Sequence, residues 1–318
     1  METVEIFPNV HEIKSLFGDR YLQQYLFVGE RIVLLDAGVL STPESAIFPY
    51  MEKIGIPPQR LSLVIAMHAD GDHHGGLAAI RDASAATHLA CHADDRTLIE
   101  DPERLYQDRY NFLCQGHGLG FGREGMVHSP RSCRIDVHLS AEETLRLSPD
   151  WSLKVWHVPG HSAGHLAVYD EKHRAAFTSD AVQSGGYPTT TGRMAFGPTY
   201  YTVEAYLASI EFLERQPIEH LLTGHWPAMH TNEDARKFLR TSREFVERVD
   251  SGIMAFLRQH REGSTLKRLI GELGPQLGSW PEEAGGFLQF AFYGHLERLK
   301  QRGIVRSGTS IPFQYSLV

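Results

Sequence analysis

The chain has 318 residues, 42% of them hydrophobic, which is enough for one large domain or two ordinary ones and excludes disorder as its main state. Its 31 Lys plus Arg against 39 Asp plus Glu give a net charge of −8, so the molecule as a whole is not built to hold a polyanion. The first residues lack the basic and apolar regions of a signal peptide, and no stretch approaches roughly 18 consecutive apolar residues; the sequence predicts a soluble, cytoplasmic protein with no membrane partner. Three cysteines without CxxC spacing argue against a disulfide framework or a thiolate metal site. Eighteen histidines are the compositional outlier.

Taken in chain order, the predicted elements are short strands alternating with helices. YLQQYLFVGERIVLLD, from Tyr21 to Asp36, is two β-rich runs around Gly29-Glu30, the pattern of a hairpin. A helix follows, with Thr42 as its N-cap, Pro43 in its first turn and Gly55 past its end. LSLVIAM, from Leu61 to Met67, is a continuous apolar run of the kind a buried strand presents; it stops at HADGDHHGG, before a helix from Leu77. Residues 94–130 read as helical and then glycine-rich, an insertion over one face and a candidate lid. Strand patterns return in SLKVWHVPG, AAFTSD and IEHLLTG, which run out at His161, Asp180 and His225, and a helix starts near Thr202.

Near residue 235 the composition shifts. Residues 235–318 hold 13 Lys plus Arg and 8 Asp plus Glu, net +5, which leaves −13 for residues 1–234. The expected domains are therefore a catalytic unit over 1–234 and a helical module over 235–318. The module reads as a long helix from Glu233 to about His260, a second after Ser264, a third from about Ala284 to Arg302, and strand-like pieces around Gly308. Helices followed by a terminal hairpin look winged-helix-like.

The chemistry concentrates at strand ends. His68-Ala-Asp-Gly-Asp72-His73-His74 places five potential ligands in seven positions on one tight loop. Imidazole and carboxylate both bind Zn²⁺, Mn²⁺ or Fe, and such clustering lets one loop serve two ions. A solvated polar turn does not account for His161, Asp180 and His225 arriving after three further strands.

In their order, HxDxDH, the His of PGHSAGH, the Asp of TSD and the His of TGHW resemble the metallo-β-lactamase superfamily, over roughly residues 4–230. The resemblance implies an α+β fold, a four-layer αββα sandwich with a metal site at one edge between the two sheets, followed here by the small, mostly helical, winged-helix-like C-terminal module. Carried over residue by residue, it implies that His68, His161 and Asp70 hold one ion, that Asp72, His73 and His225 hold a second, and that Asp180 bridges them. Two divalent ions, zinc with iron or manganese left open, would share a water acidic enough to supply a metal-bound hydroxide at neutral pH, with Asp72 relaying a proton. The commonest superfamily pattern is HxHxDH, and Asp70 stands where its second histidine belongs. Whether this shorter, harder ligand binds directly, binds through water or leaves its site weak is open at this point.

The loop after Asp180 is rich in Gly, Pro and Tyr, and loops in this position lie close to the metals in the superfamily. Tyr187, Tyr200 and Tyr201 are therefore candidate catalytic donors to a developing oxyanion, a role tyrosine plays in lactonases of the family. Arg193 is a candidate partner for a substrate carboxylate, His165 is expected to pack beside the site, and His117 lies in the insertion that covers it. The aromatic run Phe287, Leu288, Phe290, Phe292 and Tyr293 suits a core or a dimer interface, so the tail is expected to hold a homodimer together. The expected function is metal-dependent hydrolysis of a small-molecule lactone, ester, thioester or amide-like bond. The alternative is a phosphodiesterase or nuclease on the same dinuclear site, supported by Asp70 and the basic tail but opposed by the −13 charge of the catalytic half. A binding protein on a decayed site is disfavoured, because every expected ligand position holds a metal-competent residue.

Overall fold

The structure, a computed structural model, describes residues 2–123 and 130–318. Seven strands form the first sheet in chain order: β1 (Glu2–Phe7), β2 (Val10–Phe17), β3 (Arg20–Val28), β4 (Ile32–Leu35), β5 (Leu61–Ile65), β6 (His88–His92) and β7 (Val137–Leu139). The first four run antiparallel, and from β4 onward the pairing is parallel. Parallel strands covered on both faces need apolar side chains throughout, which is why IVLL reads as an unbroken apolar run and LSLVI, broken only by the half-buried Ser62, nearly so. The second sheet joins β8 (Thr144–Ser148), β9 (Trp151–His157), β10 (Leu166–Asp170), β11 (Ala175–Ser179) and β14 (His220–Thr223) in the order β14-β11-β10-β9-β8, and β12 (Tyr187–Pro188) pairs with β13 (Met194–Phe196) as a separate hairpin.

The two large sheets pack face to face. Successive side chains on a strand point to opposite faces, so Tyr25, Phe27, Val33 and Leu35 meet Leu153, Val155, Val168 and Phe177 between the sheets, while Leu26, Ile32 and Leu34 face outward. Phe27 and Phe177 meet edge-on at 4.9 Å. Helices α1 (Phe48–Lys53), α2 (Gly71–His74) and α3 (Leu77–Ala83) lie on the side of the first sheet. The region after β6 holds α4 (Ala93–Glu100), α5 (Pro102–Arg104), a wide turn over Leu105–Tyr110 and α6 (Cys114–His117). The outer face of the second sheet carries α7 (Val203–Arg215), which presents Val203, Tyr206, Ile210 and Leu213 at helical spacing, and α8 (Asn232–Gln259). The result is the four-layer αββα sandwich expected.

The remaining elements are β15 (Ser264–Thr265), α9 (Leu266–Leu277), α10 (Gln289–Gln301), β16 (Val305–Ser307) and β17 (Gln314–Leu317), with the three short strands in the order β15-β17-β16. One apolar cluster runs unbroken from α7 through α8 and α9 to α10 and β17, so this module is built onto the sandwich. The aromatic run turns inward: Phe290 and Phe292 are buried within the chain rather than presented on a free surface. One local expectation needs correction: Thr42 is already helical in φ and ψ, with Oγ1 accepting from the Val39 amide instead of capping a helix. The β1–β2 hairpin precedes the elements expected from the sequence. No helix among the described residues is long and apolar enough to cross a membrane.

Candidate metal centre

Four strand ends converge at one edge of the sandwich. The chain leaving β5 carries His68 and Asp70 and then α2, whose single turn presents Asp72 and His73; β9, β11 and β14 lead to His161, Asp180 and His225. Glycines make the approach possible. A Cβ at Gly224 would stand 2.5 Å from Asp180 Oδ1 and 2.7 Å from His73 Cε1, and Gly160 combines φ +137° with a Cβ position 2.5 Å from the Tyr206 backbone. All seven predicted ligands are thus brought together, and potential ligand atoms fall into the groups His68, His161, Asp180 and Asp72, His73, His225.

Protonation at the second group follows from its hydrogen bonds. His73 Nδ1 lies 2.8 Å from Asp36 Oδ2 and His225 Nδ1 lies 3.0 Å from the Tyr21 carbonyl oxygen, both acceptors, so each ring donates from Nδ1 and turns the Nε2 lone pair inward. The two Nε2 atoms are 3.1 Å apart. Asp180 Oδ2 is 3.2 Å from His225 Nε2 and 3.6 Å from His73 Nε2, and Asp72 Oδ2 is 3.6 and 3.8 Å away respectively. Two imidazole lone pairs and two carboxylates facing one point are the donor set of a divalent cation, and His68 Nε2 and Asp180 Oδ1 beside them are buried without a hydrogen-bond partner. Burial alone would depress His73; the carboxylates of Asp180, Asp72 and Asp36 overturn that and push its pKa up to about 10, so that without a cation a proton occupies the inward-facing Nε2 that a cation would take. The pocket therefore carries negative charge that calls for a cation. Asp180, which burial alone would raise, is held well below the usual carboxylate range by His225 and His73.

Asp70 sits differently. Arg109 forks onto it, with Nε donating to Oδ1 and Nη2 donating to Oδ2 at 2.8 Å, while the Tyr110 hydroxyl donates to Oδ1 at 2.9 Å. His161 Nε2 is 2.8 Å from the same Oδ2. Burial would raise the Asp70 pKa, but Arg109 holds it well below the usual range. Arg109 also donates to the His161 carbonyl oxygen at 3.1 Å and stacks over Tyr201 at 4.6 Å.

The three candidate tyrosines part company. Tyr187 lies at the centre and donates to Asp180 Oδ2 at 2.9 Å; Tyr201 borders the cleft, donating to the Arg109 carbonyl oxygen at 2.9 Å. Tyr200 is a correction: it is fully buried, with its hydroxyl 2.9 Å from His295 Nε2 in the core. Arg193 is exposed, between β12 and β13, and is not among the described residues that line the cleft. His165 stacks on His68 at 4.5 Å as expected beside the site, whereas His117 packs under Tyr315 and Phe313 rather than over the ligands.

Above the ligands opens a cleft of about 250 Å³. Its floor includes Asp72, His161, Asp180 and His225; its walls are Phe17, Val39, Phe121, Pro130, Phe196, Phe287 and Phe290, with Arg20 as the one Lys or Arg among the described lining residues. Phe287 stacks on Phe196 at 4.2 Å and lies 4.8 Å from Phe121, so the C-terminal module and the insertion close one aromatic wall together. Sequence reasoning missed Asp36, Arg109 and Gln183. Asp36 had a signal, a carboxylate directly after an apolar strand; Arg109 and Gln183 had none.

The sequence model of the metallo-beta-lactamase superfamily matches residues 20–225. An acyl-coenzyme A thioesterase, MBLAC2, of Gallus gallus is 28% identical over 215 residues, 62% of this chain and 69% of that one. A hydroxyacylglutathione hydrolase of Cereibacter sphaeroides is 24% identical over 202 residues, 63% of this chain and 62% of its own. Among solved structures, a metallo-beta-lactamase family protein of Thermus thermophilus aligns with a TM-score of 0.74 at 18% identity, over 99% of this chain and 100% of that one.

Proposed function

The chain belongs to the metallo-beta-lactamase superfamily and is a metal-dependent hydrolase, and from that premise we propose that it cleaves the ester or thioester bond of a small molecule with an apolar acyl group. Lactones and amide-like bonds present the same acyl carbon and stand within the reading. The observation that carries it is the meeting of the His73 and His225 lone pairs, 3.1 Å apart, at the floor of a cleft walled by aromatic side chains. A divalent cation there, zinc in the first instance, supplies Lewis acidity and an activated water. The residues do the rest. Asp72, its side chain partly open to the cleft, turns Oδ2 toward the two histidines and takes up the proton of the attacking water at its other carboxylate oxygen. Tyr187 is a positioning residue: its hydroxyl proton is committed to Asp180, which it holds against the two histidines. The apolar wall seats the acyl chain and excludes water around the scissile bond.

The names of the two curated relatives, an acyl-coenzyme A thioesterase and a hydroxyacylglutathione hydrolase, support the acyl reading over the phosphodiesterase one. So does the cleft itself, which offers a polyanion three carboxylates and one arginine. The test is a chain-length series of acyl thioesters and p-nitrophenyl esters beside phosphodiesters. The expected result is turnover of the acyl set, rising from acetyl toward longer chains until the cleft is filled; turnover confined to phosphodiesters sinks the proposal.

A further inference from the structure

The structure separates two kinds of histidine among the seven ligand candidates. His73 and His225 have Nδ1 against an oxygen acceptor and so keep Nε2 free. His161 has the opposite surroundings. The Gln183 amide is oriented by two backbone groups that cannot exchange roles: its Oε1 accepts from the Thr199 amide at 2.8 Å and its Nε2 donates to the Asp180 carbonyl oxygen at 3.2 Å. The other N–H of that Nε2 points at His161 Nδ1, 2.8 Å away. A donor there requires a lone pair on Nδ1, and a neutral imidazole with its lone pair on Nδ1 carries its proton on Nε2. That Nε2 lies 2.8 Å from Asp70 Oδ2, nearer to this acceptor than to the Arg109 Nη2 donor at 3.2 Å. The Thr199 carbonyl oxygen also lies 3.3 Å from Nδ1, but the Gln183 N–H is the nearer group at 2.8 Å, and protonating Nδ1, as metal ligation through Nε2 demands, would set one N–H against the other unless the amide turned and gave up both backbone partners.

Asp70 is committed in the same way. Arg109, Tyr110 and His161 between them occupy both of its oxygens, and the guanidinium, 2.8 Å from Oδ2 and 3.2 Å from His161 Nε2, places a fixed positive charge beside the position of a first ion. Only His68 Nε2 and Asp180 Oδ1 remain there as open donors, short of the three or four that a stable site needs.

We propose that Asp70 and His161 form a hydrogen-bonded pair clamped by Arg109 and Gln183, and that the centre holds one divalent cation, between Asp72, His73, Asp180 and His225, in place of two. Arg109 and Gln183 are the residues that set this count. The inference rests on the metal-centre reading, and its test separates the two. Protein loaded with excess Zn²⁺ and freed of unbound metal by gel filtration is assayed by mass spectrometry of the metal, and the ring protons of His161 are assigned from long-range ¹H–¹⁵N spectra. The wild type should hold one ion per chain with His161 protonated at Nε2. Gln183→Glu, which replaces the donor facing Nδ1 by an acceptor, combined with Arg109→Met, which frees Asp70, should admit a second ion. Two ions in the wild type, or His161 protonated at Nδ1 in the loaded protein, overturn the proposal even if the double variant fails to fold. A folded double variant that stays at one ion counts equally against it, and no ion in the wild type overturns the metal centre itself.

Discussion

Asp36 is the most informative single position to change, because every atom of its carboxylate has an assigned task. Oδ1 accepts from the Met67 amide at 2.8 Å; Oδ2 accepts from His73 Nδ1 at 2.8 Å and from Ser179 Oγ at 2.7 Å. In Asp36→Asn the side-chain oxygen must stay with Met67, since a backbone amide only donates, and the new NH₂ then faces His73 Nδ1–H. Asparagine tolerates the left-handed backbone at this residue, φ 60°, so the fold has no separate reason to fail. His73 relieves the clash by moving its proton to Nε2, which removes a lone pair from the cation. Loss of the partner behind a metal-bound histidine costs about 10–100-fold in metal affinity, or about 1.4–2.7 kcal/mol, and the upper end is expected here because the ring tautomer is inverted rather than loosened. Competition for Zn²⁺ against a chromophoric chelator measures it, with circular dichroism confirming the fold. A folded variant whose affinity stays within about threefold of wild type would refute the tautomer argument on which the metal centre rests.

Three further outcomes follow from neighbouring contacts. Phe287→Ala opens the aromatic wall at its stack on Phe196, and a lost phenyl contact of about 1.5 kcal/mol or more should lower kcat/KM on an octanoyl thioester at least tenfold while sparing the acetyl one. Tyr187→Phe should reduce kcat about tenfold with metal content unchanged, whereas Tyr200→Phe should leave kcat alone and cost about 1 kcal/mol of stability in urea, because it breaks only the hydrogen bond to His295. His295 itself, between Tyr200 and Asp250 with Arg298 nearby, has its pKa lowered chiefly by burial. A depressed histidine stays neutral in the native state while the unfolded chain takes up a proton below about pH 6.5, so stability must fall as the pH drops through that window; His295→Gln should flatten this part of the urea profile.

The architecture was legible because each layer leaves a periodic trace: nearly unbroken apolar runs for buried parallel strands, and helical spacing for α7 and α8. The seven ligand candidates were legible for a related reason, since polar residues directly after apolar strands have few places to go but the sheet edge. What stayed hidden was contributed by residues without such flanks. Arg109 sits in a wide helical turn whose sequence, LYQDRY, looks like any solvated surface, yet the fold buries it against Asp70. Gln183 becomes decisive only through contacts with two backbone groups distant from each other in sequence. Tyr200 and Tyr201 show the limit of composition: neighbours in one loop, they point one into the core and one toward the cleft. Of the aromatic run of the tail, read as suited to a core or a dimer interface, Phe287 packs on Phe196 of the catalytic half and Phe292 is buried in the shared core.

The central claim is that acyl hydrolysis depends on the cation held by Asp72, His73, Asp180 and His225. The measurement that tests it most directly is thioester turnover by chelator-treated protein during titration with Zn²⁺, Mn²⁺ or Fe²⁺, with the same titration run on His225→Ala. The account predicts no turnover without metal, recovery in proportion to bound ion in the wild type, and neither tight binding nor recovery in the variant. Thioester turnover that survives metal removal, or that returns fully in His225→Ala, would contradict it.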